Sequence, residues 1–223
     1  MNAVFYVALS LVIFGNILFI DNFNDGNDDG WTRSGSAEFQ VIKGEYFLYG
    51  SGNRGSGMSY TGDVSGQMSI SDYRVFARVT FDSGLAAGVA ARYCGDEEWY
   101  YRLVLKPFRN TILIERKFGS AQSLALDTQL FTLDYDTEYH AVLQVSGNEV
   151  SAKVWEGAPG DEPAEWLLQA VDDLQMQPGS AGVFAAGPGK VPWSVSFDDA
   201  GAGTTDTQVL EQVTWAGIKS ALR

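Results

Sequence analysis

The chain contains one cysteine, Cys94, and one histidine, His140, in 223 residues. A single cysteine excludes an intrachain disulfide and a cysteine-based zinc site, because each needs further thiol ligands. A lone histidine without a recognisable serine or cysteine nucleophile also gives no support for a catalytic triad. We expect Cys94 to be a small buried hydrophobe and His140 to be a partly exposed strand residue.

Positive charge is scarce as well. Fifteen basic residues against 28 acidic ones give a formal net charge of −13, which repels phosphate groups. The charge therefore argues against nucleic acid and anionic membrane surfaces as partners, whereas it suits a solvated, exported protein. Hydrophobic residues make up 45% of the chain, so global disorder is excluded too, and the length favours one large core over two small ones.

The two ends differ from the rest of the chain. Residues 1–20 include an apolar run from Ala3 to Ile20, which predicts a signal peptide, with an uncleaved membrane anchor as the alternative because no clean cleavage site follows. Either segment implies a secreted or cell-surface protein. Residues 201–223 begin with a Gly-rich stretch that predicts a linker. They continue with apolar residues at helical spacing, which predict a short amphipathic C-terminal helix. This helix either docks on its own domain or frays in solvent, or it is a tag for export, anchoring or docking on a protein partner.

Between these ends, apolar residues recur with a period of two in short segments separated by Gly, Asp, Asn or Pro. In Tyr73–Phe81 the residues of one parity are apolar, which predicts a half-buried strand. Ser146-Gly147-Asn148 predicts a hairpin turn. The pattern predicts an all-β, antiparallel, two-sheet sandwich over residues 21–200. The predicted core residues, all on the apolar parity of their strands, are Tyr73, Val75, Val79, Phe81, Leu103, Leu143, Val145 and Phe197.

The segment DNFNDGNDDGW places oxygen ligands at alternate positions. Asp25, Asn27 and Asp29 are followed by Gly30, a spacing that can wrap a loop around calcium. An EF-hand would need a glutamate where Ser36 stands, so other ligands would have to come from elsewhere in the fold. The alternative is a metal-free cluster of Asn/Asp/Gly turns.

Aromatic and arginine side chains near the middle of the chain are suited to sugar binding. Arg92, Trp99, Tyr100 and Arg102 flank one predicted hairpin, where rings can stack on sugar C–H faces and guanidinium groups can donate to hydroxyls. Arg74 and Arg78 would extend this surface if their strand were a neighbour. The alternative is that these residues only cover the exposed face of a sandwich, as Tyr, Trp and Arg often do.

Several segments, in order, resemble those of concanavalin A-like (laminin G-like, or 3-keto-disaccharide hydrolase-like) jelly-roll domains of secreted bacterial proteins. They are DNFNDGNDDGW, GEY, AGVAARY with DEEWYYRLVL, the segment from Leu126 to Trp155, and VSFDDA. The resemblance implies a jelly roll over residues 21–200. It also implies a structural calcium ion that ties the first strand to the last, for which Asp199 is the preferred distal ligand because Asp198 points away from the core.

The same architecture hosts lectins, carbohydrate-binding modules, glycosidases and adhesion domains, so the fold alone does not decide function. A hydrolase of this class would be expected to place paired carboxylates on one strand, as in Glu-x-Asp-x-x-Glu, and no such strand is present. Asp96–Glu98 and Asp134–Glu138 are predicted to be solvated turns. The sequence therefore favours a non-catalytic carbohydrate-binding or adhesion module; the alternatives are an enzyme of the 3-keto-disaccharide hydrolase type and a structural surface or assembly subunit.

Overall fold

The computed structural model describes residues 17–51, 55–61, 71–95, 99–174 and 177–205. The predicted C-terminal helix and most of the predicted signal segment lie outside these ranges. The described residues form the strands β1 Ile17–Asp21, β2 Trp31–Gly35, β3 Glu38–Ile42, β4 Glu45–Gly50, β5 Ser56–Thr61, β6 Tyr73–Ser83, β7 Ala86–Cys94, β8 Trp99–Lys106, β9 Thr111–Lys117, β10 Leu124–Leu130, β11 Glu138–Ser146, β12 Glu149–Glu156, β13 Leu168–Val171, β14 Ser180–Ala186 and β15 Trp193–Gly203. Two 3₁₀ turns, Pro107–Arg109 and Pro159–Asp161, complete them, and no helix in the described ranges has the length and apolarity to cross a membrane.

The strands form two antiparallel sheets. The first sheet has the order β13-β12-β11-β6-β15-β4-β3, with β1 also paired to β15, and the second has the order β10-β9-β8-β7-β14-β5-β2. Some neighbouring strands are consecutive, such as β7 to β10, whereas others are distant in sequence, as when β15 inserts between β6 and β4, which is typical of a jelly roll. The predicted all-β, antiparallel two-sheet sandwich is therefore confirmed.

The core lies between the two sheets, and its register follows the predicted parity. All eight predicted core residues belong to one buried cluster and are at most 2% exposed. Arg74 and Arg78 lie on the opposite face of β6, as alternation requires. Arg74 is nevertheless buried, because its guanidinium group pairs with Glu162 and lies against the ring of Trp166.

The sandwich extends beyond residues 21–200 at both ends. Strand β1 pairs with the end of β15, with Ile20 opposite Gly201. A side chain at Gly201 would place a Cβ atom 2.5 Å from the carbonyl oxygen of Phe19 and 2.8 Å from the ring of Phe76. Residues 201–203, predicted as linker, are thus part of a strand, and glycine at 201 permits the close approach of β1.

Candidate functional site

Two of the predicted ligand-binding residues, Tyr100 and Arg102, lie together on the outer face of the second sheet. They line a cleft of about 320 Å³ in the middle of that sheet. Its other lining residues come from β2, β5, β7, β9 and β14 and include Ser34, Met58, Tyr93, Lys117 and Phe184. The cleft is the site that the candidate residues define.

Several residues that line the cleft are small, namely Gly35, Gly57, Ala185 and Ala186. On β7, Gly88 and Ala90 point to the outer face, opposite Phe184 and Gly182 of β14. A Cβ atom at Gly88 would lie 2.0 Å from the carbonyl oxygen of Leu103, so no larger residue fits without moving β8. Because the small lining residues carry so little side-chain volume, the larger residues beside them, such as Phe184 and Tyr93, enclose a recess.

Arg102 is held between two aromatic rings. Its Cζ atom lies 4.6 Å from the centroid of Tyr100 and 4.4 Å from that of Phe184. The guanidinium group also pairs with Glu115, its cross-strand partner on β9. This packing fixes a planar donor and a carboxylate acceptor side by side beside the half-buried ring of Tyr100.

Tyr93 is a residue of the site that the sequence did not reveal. Ala87, Val89 and Ala91 point into the core, so alternation would also send Tyr93 inward. A bulge between Ala91 and Cys94 reverses the parity. The ring of Tyr93 therefore joins the cleft, with its centroid 4.6 Å from Tyr60 and 6.0 Å from Tyr100.

The same bulge removes Arg92 from the cleft. Arg92 has a left-handed backbone, with φ of 52°, and is 2% exposed. Its guanidinium group donates to the carbonyl oxygens of Ser71, at 2.9 and 3.1 Å, and Gly147, at 2.9 Å. Arg92 thus ties together loops at one end of the sandwich, and the structure places it apart from the lining residues of the cleft.

Trp99 and the β6 arginines also lie apart from this cleft. Trp99 has the core-facing parity of β8 and packs against the core, with its ring stacked on Phe118 at 5.2 Å. The expectation that Arg74 and Arg78 extend the surface is wrong, since β6 belongs to the other sheet. Of the four predicted ligand-binding residues, the cleft brings together Tyr100 and Arg102.

The predicted metal loop is a series of turns capped by its own side chains. Asp25 Oδ1 accepts from the backbone nitrogen of Asn27 at 3.2 Å, and Asn27 Oδ1 accepts from that of Asp29 at 2.8 Å. These bonds match the metal-free alternative, while the carboxylates of Asp25 and Asp29 are on exposed residues. The loop is anchored by Phe23, which is fully buried and stacked on Tyr46 at 5.0 Å.

Asp199, the fourth predicted ligand, lies in a different setting. Its carboxylate is 3.0 Å from Nε of Arg78, which also pairs with Asp198 and, at 2.9 Å, with Glu138. Arg78 thus neutralises part of the charge that would attract a cation. Among the described residues, no group of three or more His, Cys, Asp or Glu side chains is arranged to hold a metal ion.

The lone histidine and cysteine lie outside the cleft lining. His140 is 1% exposed, contrary to expectation; its Nε2 donates to the carbonyl oxygen of Gly157 at 3.0 Å and its ring stacks on Trp155 at 4.8 Å. Burial lowers the pKa of His140. Cys94 is half-buried at the end of β7, where we expected full burial. Asp96–Glu98 lie outside the described residues.

No protein-family model matches this chain, and no curated protein matches it by sequence. Solved structures do share its fold. The carbohydrate-binding module CBM66 from Bacillus subtilis has a TM-score of 0.60 and 14% identity, over 80% of this chain and 98% of that module. A Bacillus subtilis protein of unknown function with a galectin-like fold has a TM-score of 0.58 and 12% identity, over 86% of this chain and 97% of that protein. A prokaryotic β-1,3-1,4-glucanase (lichenase) derived from a mouse hindgut metagenome has a TM-score of 0.58 and 15% identity, over 83% of this chain and 98% of the enzyme.

The predicted resemblance is therefore confirmed at the level of the fold. The described residues form the galectin-like, concanavalin A-like jelly roll found in carbohydrate-binding modules and in glycoside hydrolases. Sequence identities of 12–15% establish the fold alone and leave function to be argued from the site.

Proposed function

We propose that this protein is an exported, non-catalytic carbohydrate-binding or adhesion module whose ligand occupies the cleft of Tyr93, Tyr100 and Arg102. The observation that carries the proposal is the fixed Arg102–Glu115 pair beside two tyrosine rings in a recess of about 320 Å³. Sugars present apolar C–H faces and a dense set of hydroxyl groups, so a binding site needs a ring and a paired donor and acceptor.

Each lining group has a defined role in this proposal. The ring of Tyr100 stacks on the face of a sugar, and Tyr93 continues the aromatic surface 6.0 Å away. Arg102 donates to neighbouring hydroxyls, because Tyr100 and Phe184 hold its plane and little side-chain entropy is lost on binding. Lys117, the cross-strand partner of Tyr100, adds a second donor at the rim.

A glycoside-active enzyme is the second candidate, and the likeness to a lichenase fold favours it. Hydrolysis would need two carboxyl groups flanking the scissile bond, roughly 5–9 Å apart. The described residues that line the cleft include no carboxylate, and Glu115 beside it is paired with Arg102. Binding without turnover is therefore the better-supported proposal.

Calcium and export belong to the proposal as predictions from the sequence. The oxygen-rich loop of Asp25, Asn27 and Asp29 begins next to β15, because Asp21 pairs with Ala200. An ion there would connect the first and last strands and offset part of the net charge of −13.

The test is affinity electrophoresis and calorimetry against a panel of neutral and acidic polysaccharides. Tyr100→Ala should weaken binding about tenfold, since the lost contact is one aromatic stack. Arg102→Lys keeps the charge but loses the planar fork and should also weaken binding. Tyr135→Ala is the matched control, because Tyr135 is a half-exposed tyrosine outside the cleft lining.

Two outcomes would contradict the proposal. Retention that is unchanged in both Tyr100→Ala and Arg102→Lys would place the glycan elsewhere. Release of reducing sugar by the wild-type protein, absent from a mock preparation, would make the protein an enzyme.

A further inference from the structure

A second groove lies on the outer face of the first sheet, which is the opposite side of the sandwich from the cleft. It has a volume of about 540 Å³ and is built on β3, β4 and the start of β15. Pro192 and Trp193 line it together with Ser51 and Ser83. The cleft and the groove share no lining residue, so a ligand in one leaves the other free.

Strand register builds two similar positions in this groove. Tyr49 of β4 lies between Glu38 of β3 and Ser194 of β15. Two residues earlier on β4, Phe47 lies in the same way between Gln40 and Ser196.

Both rings are half-buried and point to the same face, since residues two apart on a strand share a side. Their Cα atoms are roughly 7 Å apart along the strand. The groove therefore has two successive aromatic positions along one line.

Polar groups beside each ring are held in place. Tyr49 Oη donates to Gln40 Oε1 at 3.3 Å, which leaves the amide nitrogen of Gln40 to donate to a ligand. Ser194 Oγ donates to Asp82 Oδ2 at 2.7 Å and can still accept. Ser196 is 4% exposed, so Gln40 is the polar group that the second position offers.

The described lining residues of the groove favour a neutral ligand over an acidic one. They include Glu38 and no lysine or arginine, and Asp82 lies beside Ser194. Among the described lining residues, an acidic sugar would meet the carboxylate of Glu38 and no lysine or arginine. A neutral sugar would meet aromatic faces, a planar amide, a carboxylate acceptor and a hydroxyl group.

We propose that this groove binds a neutral, linear polysaccharide whose chain follows β4, with one sugar stacked on Tyr49 and the next on Phe47. With the proposed cleft on the other sheet, the module then has two glycan sites that face away from each other. Such a module can connect two polysaccharide chains, which is an adhesive function that a single site does not provide.

The experiment measures glycan binding at the groove in a variant whose cleft no longer binds. In the Tyr100→Ala background, we compare Tyr49→Ala with Tyr49→Phe by affinity electrophoresis in mixed-linkage β-glucan and in neutral xylan, and by calorimetry with cellohexaose and xylohexaose. Tyr49→Phe keeps the ring and loses only the hydroxyl. Thermal unfolding of each variant verifies that the sandwich is intact.

We expect Tyr100→Ala/Tyr49→Phe to bind at least one of these probes, and Tyr100→Ala/Tyr49→Ala to bind it about tenfold more weakly. In the Tyr100→Ala background, Gln40→Ala should also weaken binding of that probe. Beads coated with that glycan should be aggregated by the wild type, which has both sites, and not by the variants that lack one of them. Two results would overturn the proposed glycan site in the groove. One is equal affinity of the Tyr49→Ala and Tyr49→Phe variants, and the other is no binding of any of the four probes in the Tyr100→Ala background.

The outcome is separable from that of the cleft. If Tyr100→Ala changes no binding while Tyr49→Ala does, the proposed function at the cleft fails and the groove stands. A self-association of the wild type that Tyr49→Ala abolishes, without any glycan effect, would show that the groove is instead an interface between two copies of this chain and would overturn the inference.

Discussion

Replacing Asp198 with asparagine should remove a distinctive pH dependence from the stability of this protein. Asp198 lies on β15 on the outer face of the first sheet, where Arg78 is shared among Asp198, Asp199 and Glu138. Three carboxylates around one guanidinium group leave an excess of negative charge. Burial, and then the neighbouring charge of Asp199, outweigh the attraction of Arg78 and raise the pKa of Asp198 from 3.8 to about 6.

The direction of the effect follows from proton binding. Between pH 3.8 and about 6, the native Asp198 carboxyl group holds a proton that the unfolded chain has released, so its contribution to the free energy of unfolding falls as pH rises through this window. The full shift corresponds to roughly 3 kcal/mol. Because part of the side chain still contacts solvent, we expect about 1–2 kcal/mol.

The assay is urea unfolding of wild type and Asp198→Asn at several values between pH 4 and 7.5. The amide cannot ionise, so the stability of the variant relative to wild type should rise by about 1–2 kcal/mol across that range. Asp173→Asn is the control, because Asp173 is exposed and lies outside this cluster. A difference between wild type and Asp198→Asn that stays constant with pH, or that falls, would refute the electrostatic argument.

Three further predictions follow from the sites. If calcium binds the loop of Asp25 and Asp29, then millimolar ion over a micromolar site should add about 4 kcal/mol, and the double alanine variant should lose this dependence; an unchanged melting temperature in excess chelator would contradict it. Arg92→Met should cost about 3 kcal/mol by leaving the carbonyl oxygens of Ser71 and Gly147 without their donor, and the folded protein should keep its glycan retention. Trp99→Ala should lower the melting temperature through the lost stack on Phe118, and a selective loss of glycan binding instead would return Trp99 to the site.

Much of the fold could be predicted from the sequence because one physical rule, side-chain alternation, governs most of each strand. Tyr73, Val75, Val79 and Phe81 follow that rule, and all are buried in the core. The same rule applied to β8 gives Trp99 the inward parity of Tyr101, so its packing against the core was available from the sequence.

The predictions from sequence fail where a local structural feature overrides the side-chain alternation of a strand or the usual meaning of its composition. At the end of β7, the left-handed backbone of Arg92 reverses the faces of the sheet to which Arg92 and Tyr93 point. No residue type in AARYCG predicts this bulge. At the end of β15, small residues resembled a linker, although Gly201 is required by the close approach of Phe19. The sequence alone does not show whether a glycine provides backbone flexibility or permits the close approach of a neighbouring strand.

The candidate sites depend on tertiary relations that no local pattern contains. Arg102 is fixed by Phe184, which is 82 positions away in the chain and meets it only because β14 enters the second sheet beside β7. The groove likewise requires β15 to lie next to β4, so that Ser194 and Tyr49 become neighbours.

The two outer faces also differ in how much of them remains open. On the first sheet, the loop from Gly157 to Leu167 covers Phe76, Val142 and Trp155 with Trp166, and the pairs of Glu162 with Arg74 and Lys153 hold it there. The groove is thus confined to the β3–β4 side of this face. On the second sheet the cleft lies in the middle, over Gly57 of β5 and the alanines at the end of β14. A central cleft on one face and a marginal groove on the other allow two polysaccharide chains to approach from opposite directions without contact, and this arrangement is what bridging requires.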